Sequence, residues 1–257
     1  MMDPSSTMLN TPIPPPSMEP DRIVIRAFRA VDDPQRCESF VREHTKVLED
    51  IGVFNALKPD TSWSSDPNVV VFVAEHPTLG MVAGIRLHKA SLDGTLPMER
   101  SLESLDGAII GILANLVENG NAEIAGLWNA HRFAGRGVPM LLMEACVAVA
   151  SRIGVASMVT FIAEYVAPYA AISGFEPMRA LTSEGIFEYP VAGIRTHAMI
   201  LQDPLVLSAA ILTERHRILS LRLRPHQCRT ERPKHADLVV QYDLLEPLPV
   251  PNKAHAA

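Results

Sequence analysis

A mixed α/β (α+β) fold, one central sheet with helices on both faces, is predicted by three features of the 257-residue chain. Alternating or β-branched apolar runs are interspersed with segments whose apolar residues recur at helical spacing. The two kinds of segment alternate unevenly, with a hairpin early and a strand pair late, which points to a mixed sheet. With 47% hydrophobic and 20% charged residues, the chain can also bury one sizeable core.

Taken in order, "RIVIRAF" from Arg22 is a strand, and "PQRCESFVREHTKVLEDIG" is a helix that Gly52 stops. The polar segment 54–67 is a long loop of the kind that often carries function. "NVVVFVAEH" and "GMVAGIRLHKA" form a hairpin across "PTL". One helix is expected over 98–117, followed by the strand "AEIAGLW", a loop, and a main helix over about 139–153 that ends at Gly154. The strand "SMVTFIAEY", a short helix in "APYAAISGF" and a closing pair, "GIFEYPV" with "RTHAMILQD", come next. A helix over 204–219, a basic stretch and the strand-like "ADLVVQYDLL" finish the chain. The expected organisation is a disordered Pro- and Ser-rich tail over 1–21, a main domain over 22–203 and a C-terminal extension over 204–257.

Composition narrows the function. The longest apolar stretch, 140–150, is interrupted by Glu144, and a bilayer takes roughly 20 apolar residues. The first residues lack a basic start and an apolar core, so no secretory signal is expected. Cys37, Cys146 and Cys228 are far apart and outside any CxxC pair. No metal site or disulfide is therefore expected, and a reducing cytoplasm is the expected location. A formal net charge of −6 gives no attraction to nucleic acid.

The segment "AEIAGLWNAHRFAGRGVPMLLMEA" carries the strongest functional signal. A helix N-terminus offers N–H groups without intrahelical partners and the positive end of the helix dipole. Such an end is a ready phosphate site. Gly135 and Gly137 allow close backbone approach, and Arg132 and Arg136 add positive charge. Pro139 suits the first helical position.

This segment resembles the GNAT acyltransferase superfamily, whose acyl-CoA loop reads Q/R-x-x-G-x-G/A between the fourth strand and the main helix. "RFAGRG" (132–137) satisfies the pattern literally, while "AGRGVP" (134–139) aligns better with the helix and is preferred, although it places Ala134 and Pro139 at atypical positions. "SGFEP" further on resembles the superfamily's later glycine-phenylalanine segment. The resemblance covers roughly 22–203 and implies a GNAT-like, mostly antiparallel sheet. It implies acetyl-CoA or a longer acyl-CoA as donor, with no metal, bound by Arg132, Ala134, Gly135, Arg136, Gly137 and Val138. The pantetheine would run along the backbone of Leu127, Trp128 and Asn129, where the fourth strand splays from its neighbour.

The resemblance also implies the chemistry. Glu123 lies 14 residues before Gly137, a spacing similar to that of the general-base glutamate in the histone-acetyltransferase branch. The superfamily's usual acid tyrosine position holds Ala170, which leaves Tyr169 as the nearest acid candidate. Arg86 and His88, on one strand, are lesser candidates to line the acceptor cleft, whose pocket the loop 54–67 and the strand pair near Tyr189 would shape. His131 beside the glycine loop is a lesser candidate to meet a phosphate or a substrate, and Cys146 in its apolar helix is expected to be inert.

The leading function is N-acyl transfer to a small-molecule amine by direct attack. Ala170 and Pro139 leave a non-catalytic acyl-CoA-binding domain as the alternative. An acyl carrier protein is a further candidate donor, because some relatives use one and Arg215, Arg217, Arg222 and Arg224 would steer an acidic partner.

Overall fold

A computed structural model of the protein describes residues 20–57, 60–233 and 237–245. The first half contains β1 (Asp21–Arg29), α1 (Pro34–Asp50), the hairpin of β2 (Val69–His76) and β3 (Gly80–Lys89), and α2 (Pro97–Leu102). After α3 (Ala108–Val117) come β4 (Asn121–Asn129), α4 (Val138–Ala150), β5 (Ser157–Ala163) and α5 (Ala167–Ile172). The chain continues through β6 (Glu176–Pro177), β7 (Ile186–Glu188) and β8 (Arg195–Leu201). Last are α6 (Leu212–Leu223), β9 (His226–Glu231) and β10 (Leu238–Asp243).

These strands make one sheet in the order β6-β8-β5-β4-β3-β2-β1-β10-β9, with β7 also paired to β8. It is mostly antiparallel. The parallel pairs among the described residues are β1 with β10 and β4 with β5. Strand alternation explains why both faces are covered: Val70, Phe72 and Ala74 of β2 pack with α4, while Val69, Val71 and Val73 pack with Phe40 and Cys37 of α1. β2 is accordingly apolar at nearly every position, as a strand buried on both sides must be. The helices α2 and α3 extend the α1 face, and α6 closes over α4. Since α4 lies between sheet and helix, it is apolar around almost its whole circumference. No helix among the described residues is long and apolar enough to cross a membrane.

The predicted elements match this layout with four differences. The single helix expected over 98–117 is broken at Glu103–Gly107, because the Asp106 carboxylate accepts the Ala108 N–H at 3.0 Å and the Thr182 N–H at 2.7 Å. The helix expected at 204–219 starts instead at Leu212: residues 204–210 form turns in which Asp203 accepts the Ser208 N–H and Leu207 takes φ 59° to place its side chain in the core. Pro139 occupies the second helical position, after Val138. Finally, the basic stretch contains β9, and β10 pairs with β1, so the segment after 203 completes the same sheet. The expected tail falls almost wholly on residues outside those described, as do Lys234 and His235.

The basic stretch is also less of a surface patch than its sequence implies. Arg222 donates to the carbonyls of Val147, Leu205 and Pro204. Arg217 is held among three carboxylates, those of Glu144 on α4 at 2.9 Å, Glu231 on β9 at 2.8 Å and Glu214 on its own helix at 3.7 Å. The Tyr242 hydroxyl donates to Glu231 at 3.0 Å. Glu144 is fully buried, and burial raises the pKa values of both Glu144 and Glu214. One guanidinium therefore ties α4, α6, β9 and β10 together.

Arg217→Met would leave that cluster without its central cation. Removing one partner of a buried ion pair typically costs about 3–5 kcal/mol, and urea unfolding above pH 8 should show a loss of that order. Glu144 has a pKa of about 8 with the cation in place and a higher one without it, so the loss should be largest above pH 8 and shrink as pH falls to it. A loss independent of pH would remove the charge network from the explanation.

Candidate functional site

The site is opened by a register fault in β4. Gly84 pairs with Trp128, but the next match is Arg86 with Ala125, so β4 carries one extra residue between those points. Gly126 sits in this bulge at φ 62°, a conformation that favours glycine. A Cβ there would also lie 2.6 Å from Arg86 Nη2. Beyond the bulge β4 stays with β3 to its end, whereas its register with β5 stops at Ile124 and Thr160. β5 remains paired with β8 as far as Ala163. The two parallel strands therefore part, and a cleft of ≈ 620 Å³ occupies the opening on the α1 and α2 side.

Glu123 lines this cleft from the last paired part of β4 and is 2% exposed. Its Oε2 accepts the Met98 N–H from the first turn of α2 at 2.7 Å. Burial pushes its pKa up to about 8, and the Met98 amide and the Arg86 charge offset part of that rise. His44 of α1 also lines the cleft, and burial lowers its pKa to about 4, so it is neutral at pH 7. His44 stacks on Trp128, their rings 14° from parallel.

Arg86 lies beside Glu123 on the same face of the sheet, since it pairs with Ala125 while His88 pairs with Glu123. Its guanidinium stacks over Trp63 at 4.6 Å and near Phe40 at 5.8 Å. Its Nε is buried without a hydrogen-bond partner, as is Nε2 of His88. His88, however, is not among the lining residues.

The glycine loop reaches the opposite end of β4. Gly135 has φ 80° and Gly137 has φ 72°, and Gly137 is the residue from which α4 starts. Among the described residues, the N–H groups of Gly135, Arg136, Gly137 and Val138 are not taken by any backbone or side-chain acceptor. Four amides in sequence at a helix mouth are an anion cradle. Pro139 supplies no N–H, and the Met140 N–H is already bonded to Gly137. Ala134 enters the loop in an extended conformation.

The two loop arginines lean on the protein. Arg132 donates to the Met81 carbonyl at 2.8 Å and to Glu43 at 3.0 Å. Arg136 pairs with Asp21 and stacks over Phe133 at 4.5 Å. Of the expected pantetheine-side residues, Leu127 lines the cleft; Trp128 is buried towards α1 and Asn129 pairs with Ala83. Tyr169 is on α5, partly buried against the main core, and it does not line the cleft. Tyr165 and Tyr189 do. Tyr189 was legible in the sequence as part of the closing strand pair, whereas Arg86 became prominent when the bulge put Gly126 against it.

No model of a known protein family matches the sequence, and no curated protein matches it. Solved structures do match. FeeM, an N-acyl amino acid synthase from uncultured soil microbes, superposes with a TM-score of 0.50 at 16% identity, over 76% of this chain and 98% of its own. The CoA-dependent acyl-homoserine lactone synthase BjaI gives the same TM-score and identity, over 83% of this chain and 95% of its own. The chain therefore shares the fold of these two proteins, a mixed and mostly antiparallel sheet with helices on both faces, as the sequence led one to expect.

The bulge makes Gly126 a test of the site's construction. Gly126→Ala should lower stability by about 1–3 kcal/mol, the usual scale for a residue held in a sparsely populated backbone region. Urea denaturation measures this, and an unchanged midpoint would mean that β4 does not need its glycine.

Proposed function

We propose that the protein is an N-acyltransferase that moves an acyl group from acyl-CoA to the amine of a small molecule by direct attack. One observation supports this above the others. The parting of β4 from β5 puts an open strand edge, a buried carboxyl with raised pKa and a glycine-bent helix mouth along a single cleft and strand. An extended thioester donor with a diphosphate at one end needs those features in that order.

In this reading, the amides of Gly135, Arg136, Gly137 and Val138 hold the diphosphate, with Ala134 leading into the loop. Arg132 and Arg136 shape the loop and add positive potential while remaining bonded to Glu43 and Asp21. The backbone at Leu127, Trp128 and Asn129 orients the pantetheine. The neutral amine attacks the thioester carbonyl carbon, and the C–S bond breaks as the C–N bond forms. Glu123 takes the amine proton, directly or through water. A thiol has a pKa of roughly 8.5, so the thiolate can leave without an acid and take a proton from water afterwards. Tyr169 lies off the cleft and is assigned no step.

Free acyl-CoA is the proposed donor over an acyl carrier protein, because Arg217 and Arg222 of the basic stretch are committed to internal contacts. One feature favours a non-catalytic binding domain instead: Ala170 is fully buried where the superfamily's acid would stand. Thiol release from acyl-CoA with a mixed amine library separates the two readings, and no release with any amine would sink the catalytic one.

Glu123 must be ionised to accept a proton, so turnover should rise with pH through about 8. Glu123→Gln should lower turnover by roughly 10²-fold or more, the usual scale for a lost general base, and should flatten that limb while leaving CoA affinity nearly intact. A parent-like pH profile in the variant would remove Glu123 from the mechanism. Gly137→Val forces a β-branched residue into a positive φ and should weaken CoA binding at least tenfold by calorimetry; unchanged affinity would free the loop of that role.

A further inference from the structure

The geometry points to an acceptor class: the amine that receives the acyl group is an α-amino acid, and Arg86 holds its carboxylate. This rests on the N-acyltransferase reading and goes beyond it by assigning a substrate class and the residue that selects it.

Arg86 is an unusual side chain to find in an apolar strand. It lines the cleft, yet no hydrogen bond or ion pair joins its guanidinium to any described residue. Its contacts are the faces of Trp63 and Phe40, which fix the plane of the group without using its N–H donors. The backbone of Gly126 comes so close that a Cβ would meet Nε at 2.7 Å and Nη2 at 2.6 Å. The strand bulge, the glycine and two aromatic rings thus hold a cation in position while its hydrogen-bonding capacity goes unspent. Nε is buried without a partner, while the residue as a whole is partly exposed at the cleft, so its terminal N–H groups stay open to an acceptor.

The charges around it agree. Burial lowers the Arg86 pKa only to about 10, so the group is cationic at neutral pH. Asp60 and Arg100 also line the cleft and pair with each other at 3.3 Å. His44 is neutral, and Glu123, with a pKa of about 8, is largely protonated at pH 7. The cleft therefore carries one cation in excess, which is complementary to one anionic group on the ligand.

Spacing selects the kind of anion. Arg86 and Glu123 are diagonal neighbours across β3 and β4, and diagonal pairs sit about 7–8 Å apart. A carboxylate bound by the guanidinium fork and an amine one carbon away would put the nucleophile within reach of Glu123. Guanidinium is also the side chain best matched to a carboxylate, which it binds through two parallel N–H···O bonds.

The test compares acids with their neutral partners. The twenty common amino acids and their carboxamides would be assayed singly for thiol release from acyl-CoA and, independently, for binding to the full-length protein by calorimetry. At least one amino acid should exceed its carboxamide by 10²-fold or more in kcat/KM or in affinity. Arg86→Gln should erase that preference by weakening the acid and sparing the amide, and Arg86→Lys should recover part of it. A purely structural arginine would instead lower acid and amide alike. Binding of amino acids with that preference but without thiol release would overturn the transferase reading while leaving the α-amino acid as the ligand whose carboxylate the cleft selects. Equal use of acid and amide, or no binding or transfer of any of the twenty, would overturn the assignment. The comparison needs only the parent protein, so it decides even if the Arg86 variants fail to fold.

Discussion

Two adjacent parallel strands stay together as long as each residue of one has a partner on the other, and here that pairing ends at Ile124 and Thr160. Everything that makes the site depends on this stop. β4 is diverted because the bulge at Gly126 keeps it in step with β3, while β5 follows β8. Gly126 can bulge this way because it tolerates a positive φ and because it has no Cβ to strike Arg86. The backbone geometry and the half-buried cation are thus one feature: a larger residue at 126 would disturb both the opening and the guanidinium beside it.

The same economy governs the protons. Glu123 is buried, and its one resolved hydrogen bond comes from an amide in the first turn of α2, a donor that favours the ionised form but offsets only part of the desolvation. Desolvation then wins and raises the pKa to about 8 despite the nearby Arg86. Glu144, on the other side of the sheet, meets the same desolvation but is surrounded by Arg217, Glu214 and Glu231 in a closed network. Two buried glutamates with raised pKa values therefore differ in what faces them. Glu144 has an internal cation and no cleft; Glu123 has a cleft and a cation that it does not contact by an ion pair. Only the second arrangement leaves an open cleft beside the carboxyl and the guanidinium.

Much of this was readable from residue order. The alternating and β-branched runs located β1 to β5, and Gly52 and Gly174, each at positive φ, follow helices that end where the sequence placed their stops, whereas α4 ends at Ala150, before the expected stop at Gly154. The glycine loop and its spacing to Glu123 were visible because both lie within one strand–loop–helix unit. What depends on distant contacts was not visible. Asp106 breaks the helix over 98–117 partly by bonding Thr182, 76 residues away. Arg132 and Arg136 looked like loop charges facing solvent or a ligand, yet Glu43 and Asp21 hold them from α1 and β1. Arg217 and Arg222 read as surface charge because nothing local shows that α6 packs on α4.

Arg86 shows why the site was harder to read than the fold. In sequence it is one charged residue in "GMVAGIRLHKA", on a strand whose alternation assigns it merely to one face. Its meaning comes from three segments that meet there: the loop carrying Trp63, the helix carrying Phe40 and the bulge carrying Gly126. Each supplies apolar or backbone contact, and none supplies an acceptor. Strand periodicity can place a cation on a face, but only the packed structure shows whether its donors are satisfied. Arg86 is held by stacking where Arg217 is held by ion pairs, and that difference in partners is invisible to strand or helix periodicity.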